Sequence, residues 1–137
     1  MNDQHTTKAF DSDLQDLGRM VAEMGGLAEK QVADAVDALA KRDGALATRV
    51  TQADATIDAL QREIEEKSVL TIARRQPMAI DLREIVGAMR VATDLERIGD
   101  HATNIAETVF YMIEGQQMLD KRPKGDMTNF ATTVPGN

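Results

Sequence analysis

Apolar side chains recur in this sequence at alternating steps of three and four, and that spacing constrains the fold more than any other feature. Steps of three and four place side chains on one face of an α-helix, so each series of this kind predicts an amphipathic helix. The first series is broken only by Gln31, and its apolar members are Phe10, Leu14, Leu17, Val21, Met24, Ala28, Ala35 and Ala38. The second series comprises Leu46, Val50, Ala53, Ile57, Leu60, Ile64 and Leu70.

Short breaks separate the helical series. Asp43 is suited to cap the start of a second helix, Pro77 fits the beginning of a third, and Gly115 is a natural stop. The predicted helices span about residues 10–41, 44–75 and 78–113. No sustained period-two pattern is present, which excludes strands.

The chain is therefore predicted to be all-α, with one antiparallel up-down-up three-helix bundle of long helices. The bundle is expected to occupy residues 10–115. Residues 1–9 are expected to form a flexible N-terminal arm, and residues 116–137 a disordered tail.

Charge and composition exclude several function classes. Acidic residues outnumber basic ones 23 to 16, so the net charge of −7 argues against a nucleic-acid-binding protein. The absence of cysteine excludes disulfides, thiolate zinc sites and iron–sulfur clusters, so any metal would be held mainly by carboxylates. The sequence has neither a membrane-spanning apolar run nor the plan of a signal peptide. We therefore expect a cytoplasmic protein that meets membranes only through its partners.

A line of oxygen-bearing side chains marks the third predicted helix. Glu96, Asp100, Asn104 and Glu107 follow one another at steps of four, four and three, which places them on one side of the helix. Like charges four residues apart destabilise an isolated helix by about 0.2–0.5 kcal/mol, so a cation or a basic partner would account for them better. The alternative is a solvated helix face in which Arg97 neutralises the acids.

A second acidic pair lies on the second predicted helix. If the helices pair antiparallel about Gln76, Asp54 and Asp58 stand level with the acids of the third helix. Two carboxylate pairs at one height are what a cation site in a bundle would require.

Other helical site classes fit less well. A ferritin-like di-iron site requires Glu-x-x-His pairs, and neither His5 nor His101 has a glutamate three residues before it. A phosphotransfer bundle requires an exposed histidine on four helices, whereas this chain offers three. No phosphate-binding loop of the Gly-x-x-x-x-Gly-Lys type occurs. We therefore assign no catalytic residue and expect a protein that is not an enzyme.

Two spaced motifs carry a family resemblance. The segment 75–83 (RQPMAIDLR), followed by 94–100 (DLERIGD) and 104–106 (NIA), closely resembles the PhoU family of phosphate-transport regulators. The resemblance implies a cytoplasmic accessory protein of the phosphate-specific transport system. It also implies contacts with the ATPase of the phosphate ABC transporter and with a phosphate sensor histidine kinase. Such a protein negatively modulates phosphate uptake and phosphate-starvation signalling.

The resemblance also ranks the candidate metal ligands. Some family members hold metals on Glu/Asp-x-x-x-Asp motifs, and Glu96 and Asp100 match that motif residue by residue. The second-rank candidates are Asp94, Asn104, Glu107, Asp54, Asp58 and His101. The implied cofactor is a divalent or trivalent ion such as iron, zinc, manganese or magnesium. The alternative is a metal-free acidic adaptor bundle that only mediates protein–protein contacts.

The sequence departs from the family in length. Family members usually carry two three-helix repeats, whereas this chain has length for one and shows no internal repeat. We interpret it as an internally shortened, single-repeat member joined near the motif 94–100. Because a lone repeat would expose surface that its sister normally covers, we expect a homodimer or a higher oligomer.

Overall fold

The computed structural model describes residues 2–120, with side chains from Lys8 onward. This part of the chain forms three α-helices and contains no strand: α1 (Asn2–Lys41), α2 (Gly44–Arg75) and α3 (Ala79–Asp120). Each helix packs against both others. The predicted all-α bundle of three long helices is confirmed.

Contacts between distant residues fix the helix directions. Lys67 Nζ of α2 lies 3.4 Å from Asp13 Oδ1 of α1, as expected when α2 runs back along α1. The Arg42 guanidinium at the end of α1 lies 2.8 Å from Met112 Sδ near the end of α3, so α1 and α3 run in the same direction. None of the helices in this described part is long and apolar enough to cross a membrane.

Left-handed residues end the first two helices. Arg42 has φ 53° and Gln76 has φ 47°, and each lies directly after the last residue of its helix. The Asp43 side chain then accepts a hydrogen bond of 3.0 Å from the Leu46 N–H, which caps α2 as its position predicted. The Gln76 N–H donates to the Ile72 carbonyl at 3.0 Å and closes the last turn of α2.

The outer ends of the bundle differ from the prediction. Helix α1 begins at Asn2, so residues 2–9 are helical where a flexible arm was expected; no glycine or proline interrupts them. Helix α3 continues through Gly115 to Asp120, because one glycine costs a helix only about 1 kcal/mol and good helix formers flank it. Met1 and residues 121–137, which include most of the predicted tail, lie outside the described residues.

Two apolar clusters fill the core. The first cluster consists of Phe10, Leu17, Met24, Ala28, Ile57, Leu60, Ile64, Ile85 and Ala92. The second cluster is rich in alanine and consists of Ala35, Ala38, Ala47, Val50, Ala102, Ala106 and Val109. Between them lies a polar layer, which we define as Gln31, Asp54, Gly99 and Thr103.

Candidate metal centre

The polar layer interrupts the apolar seam at one level on all three helices. Gln31 lies between Ala28 and Ala35 on α1, where the heptad pattern calls for an apolar residue. Opposite it, a Cβ added at Gly99 would lie 3.0 Å from Gln31 Oε1 and 3.5 Å from Asp54 Oδ1. Because glycine has no side chain, Gly99 leaves the space that these two oxygen atoms occupy.

The two acidic pairs of α2 and α3 meet beside this layer. Asp54, Asp58 and Asp100 each present a carboxylate oxygen, and these atoms all lie within 4.8 Å of one another. Glu96 lies one turn before Asp100, and both Asp100 and Asp58 are close enough to raise the pKa of its carboxyl. We call these four residues the acidic centre. Its pairs lie at one height, as the sequence predicted, and they also face each other.

Burial and mutual repulsion raise the pKa values of the acidic centre. Partial burial contributes most to raising the pKa of Glu96 to about 7, and the nearby carboxylates of Asp100 and Asp58 add to that rise. Burial also raises the pKa of Asp54, followed by the charges of Asp58 and Asp100. Thr103 opposes this rise, because its hydroxyl lies near the Asp54 carboxylate. Near neutral pH, Glu96 therefore exchanges a proton that a cation could replace.

Buried oxygen atoms without a hydrogen-bond partner cluster at this level of the bundle. Four buried side-chain oxygens have no hydrogen-bond partner within the described part of the protein: Gln31 Oε1, Asp54 Oδ1, Asp58 Oδ1 and Thr103 Oγ1. All four belong to the polar layer or to the acidic centre. The Thr103 hydroxyl can donate towards the nearby Asp54 carboxylate, although no bond of normal geometry is present. The other three oxygens act as acceptors, and a buried acceptor without a partner costs about 1–3 kcal/mol.

The described ion pairs do not neutralise the acidic centre. None of those found among the side chains from Lys8 to Asp120 involves Asp54, Asp58, Glu96 or Asp100. Arg97, the expected neutralising residue, instead lies 4.0 Å from Asp94 on the exposed face of α3. The carboxylate, amide and hydroxyl oxygens that converge here are the donors that hard divalent cations prefer, so the residues fit a metal.

The remaining sequence candidates lie elsewhere. Asp94 is exposed and lines a groove of about 750 Å³ between α2 and α3, together with Arg90 and Arg97. His101, Asn104 and Glu107 are exposed, and none belongs to the group of three carboxylates described above.

The helix geometry explains this division. Each step of four residues advances about 40° around a helix. The Asn104 side chain therefore points away from the side of α3 that carries Glu96 and Asp100. Positions seven apart keep facing the bundle interior, and Thr103, seven residues after Glu96, is therefore the buried oxygen on this side of α3. The search for oxygen-bearing residues at steps of four did not identify Thr103 or Gln31 as site residues. Both could have been found as polar residues on an otherwise apolar heptad line.

Comparison with known proteins places the chain among bundles of this kind. The family model described as "PhoU domain" matches residues 21–109. The chain is 52% identical over 109 residues to the phosphate-specific transport system accessory protein PhoU homolog of Rhizobium meliloti (strain 1021), a match covering 80% of this chain and 46% of that protein. It is 46% identical over 115 residues to the homolog of the same name in Caulobacter vibrioides, covering 84% and 50%.

A solved structure agrees. The crystal structure of PhoU from Pseudomonas aeruginosa superposes with a TM-score of 0.76 at 43% identity, over 77% of this chain and 51% of that one. The fold and site define an all-α three-helix bundle with facing acidic pairs. The chain belongs to the PhoU family, and it spans about half the length of the relatives it matches.

Proposed function

We propose that this protein is an accessory regulator of a phosphate-specific transport system. It acts in the cytoplasm on the ATPase of the phosphate ABC transporter and on a phosphate sensor histidine kinase. Through them it lowers phosphate uptake and phosphate-starvation signalling, and it performs no catalysis of its own. Membership of the PhoU family and the names of the relatives from Rhizobium meliloti and Caulobacter vibrioides support this role.

The proposal includes a divalent cation bound at the acidic centre. Asp58 of α2 would hold it together with Glu96 and Asp100 of α3, and Asp54 would complete the set. The unpaired oxygens of Asp54 and Asp58 are the observation that carries this proposal. The cation, when bound, supplies the positive charge that the described side chains do not place there. These residues would release the shared proton of Glu96 and fix α2 against α3.

Self-association is also part of the proposal, with a second copy of this chain as the partner. Large apolar side chains are exposed around the α2–α3 turn: Val69, Leu70, Met78, Ile80, Leu82 and Val86. Met78 and Ile80 are 80% and 77% exposed, which is unfavourable for side chains of this kind in water. A dimer mass by light scattering at micromolar concentration would support this element, and a strictly monomeric mass would contradict it.

A metal-free adaptor is the second candidate function. The same exposed apolar end favours it, because a docking surface there needs no cation.

Metal analysis after dialysis separates the two candidates. The native chain is expected to retain manganese, and a Glu96→Ala/Asp100→Ala variant to lose it. The matched control is Asn104→Ala/Glu107→Ala, which removes two exposed oxygen-bearing side chains from the same helix and is expected to retain the metal. Equal and negligible metal in all three proteins would leave only the adaptor.

The regulatory role is tested by retention of partners. The immobilised chain is incubated with the purified transporter ATPase and, separately, with the cytoplasmic part of the sensor kinase, with and without Mn²⁺. We expect both to be retained. If neither protein is retained, with or without Mn²⁺, the regulatory role is contradicted. The metal proposal is then tested separately by the dialysis experiment.

A further inference from the structure

Gln31 is a polar side chain at the centre of the bundle. Only 3% of its surface is exposed, although it stands on the apolar seam of α1. Its Nε2 donates a hydrogen bond of 2.7 Å to the carbonyl oxygen of Val50 on α2. That carbonyl can only accept, so the bond assigns the nitrogen of the amide to this side and the oxygen to the other.

The amide oxygen of Gln31 is held in place without a partner. Oε1 is buried and accepts no hydrogen bond from the described residues. It lies 3.0 Å from the point where a Cβ of residue 99 would be, and Asp54 Oδ1 lies 3.5 Å from the same point. Asp54 in turn has a carboxylate oxygen within 4.8 Å of oxygens of Asp58 and Asp100. The amide oxygen of α1 and the Asp54 carboxylate of α2 therefore approach the same point beside Gly99, and Asp54 connects that point to the acidic centre.

We propose that Gln31 Oε1 is an additional ligand of the cation bound at the acidic centre. The inference rests on the metal-binding function proposed above. The site would then draw oxygen donors from all three helices, rather than from α2 and α3 alone. Its occupancy would tie α1 to the other two helices.

The chemistry of the amide suits this role. An amide carbonyl is a hard, uncharged donor that binds Mg²⁺, Mn²⁺ or Ca²⁺ without adding to the repulsion among the carboxylates. The amide nitrogen keeps its bond to Val50 when the oxygen binds a cation, because the two atoms act separately. The ligand is thus oriented before the metal arrives, as partners around metal ligands commonly are.

Two substitutions of similar size separate binding from packing. Gln31→Met fills the same volume without an oxygen, whereas Gln31→Glu keeps an oxygen at the same reach. The control is Glu29→Gln, an exposed change on α1 that shifts the net charge outside the site. For each protein, Mn²⁺ affinity is measured by titration calorimetry at pH 7.5, and the melting temperature of the metal-free form by circular dichroism.

We expect Gln31→Met to weaken Mn²⁺ binding by about 10–100-fold while the metal-free protein melts at or above the native temperature. Gln31→Glu loses the bond to Val50 but keeps an oxygen donor, so it should bind Mn²⁺ more tightly than Gln31→Met does, and Glu29→Gln should bind Mn²⁺ as tightly as the native chain. Gly99→Ala provides a second test in case Gln31→Met does not fold. Its Cβ would displace the amide oxygen, and we expect Mn²⁺ binding to weaken there too.

Native affinity in Gln31→Met, or in Gly99→Ala, would overturn the role of Gln31. Equal weakening in Gln31→Met and Gln31→Glu would overturn it as well, because that result describes packing. Failure of the proposed metal function is distinguishable from failure of the Gln31 proposal, because in that case the native chain itself would bind no Mn²⁺.

Discussion

Gln31 of the polar layer is buried like the side chains of the first apolar cluster, yet burial has opposite consequences for the two. Met24, Ile64 and Ile85 of the cluster are fully buried, and their burial stabilises the bundle. Gln31 is 3% exposed, but its burial leaves an oxygen without a partner. The comparison indicates that the two apolar clusters stabilise the bundle, whereas the polar layer between them does so less.

The largest expected effect comes from the apolar side of this comparison. Leu17 is 1% exposed in the first cluster, and Leu17→Ala shortens this buried side chain and leaves a cavity. We expect the free energy of unfolding to fall by about 3 kcal/mol, measured by urea denaturation. A loss of less than about 1 kcal/mol would mean that this cluster is not tightly packed.

A smaller effect is expected from the pH dependence of the metal-free protein. Because the pKa of Glu96 is raised from 4.5 to about 7, the folded state holds a proton that the unfolded chain releases. Stability from this residue is therefore present below pH 4.5 and is lost as the pH rises towards 7. We expect a loss of roughly 1 kcal/mol, since solvent screens a carboxyl that is only partly buried.

Glu96→Gln should remove this dependence and raise the stability of the metal-free protein at pH 7.5. The exposed Glu107→Gln is the control and should leave the profile unchanged. Thermal unfolding between pH 4.5 and 8 checks both variants. The same slope in Glu96→Gln as in the native chain would contradict the raised pKa.

The smallest effect compares two helical glycines. A Cβ added at Gly26 would meet no neighbouring atom within 4 Å, so Gly26→Ala should stabilise the protein by about 0.5–1 kcal/mol through helix propensity. Gly99→Ala gains the same propensity but brings its Cβ to 3.0 Å from Gln31 Oε1 and 3.3 Å from Ile57 Cδ1. We expect it to be less stable than Gly26→Ala by chemical denaturation. Equal stabilisation by the two substitutions would show that the polar layer accommodates a Cβ at position 99 without strain.

The sequence predicts the bundle well because the apolar steps of three and four encode both helix and buried face. It predicts the helix ends less well, since residues 2–9 and Gly115 are neither strong formers nor absolute breakers of helices. The height of Asp54 and Asp58 followed from counting residues back from the α2–α3 turn. Whether they face Glu96 depends on the rotation of each helix about its axis, which counting does not provide.

Rotation and height along α3 together explain why the rest of the acidic line lies outside the acidic centre. Asn104 is turned about 40° further round α3 than Asp100, whereas Glu107 keeps roughly the direction of Asp100 but lies about 10 Å further along the helix. Thr103 and Gln31 lie on the heptad lines that face inwards, and their polar character there was the available signal.

The central claim is that the unpaired oxygens of the acidic centre are ligands for a divalent cation. Thermal unfolding at pH 7.5 with and without Mn²⁺ tests it most directly, on the native chain and on Asp58→Asn/Glu96→Gln. We predict that Mn²⁺ at a hundred times its dissociation constant stabilises the native chain by about 2.7 kcal/mol. The variant should melt higher than the native chain without metal and gain nothing from Mn²⁺. No gain in the native chain, or the same gain in both proteins, would contradict the claim.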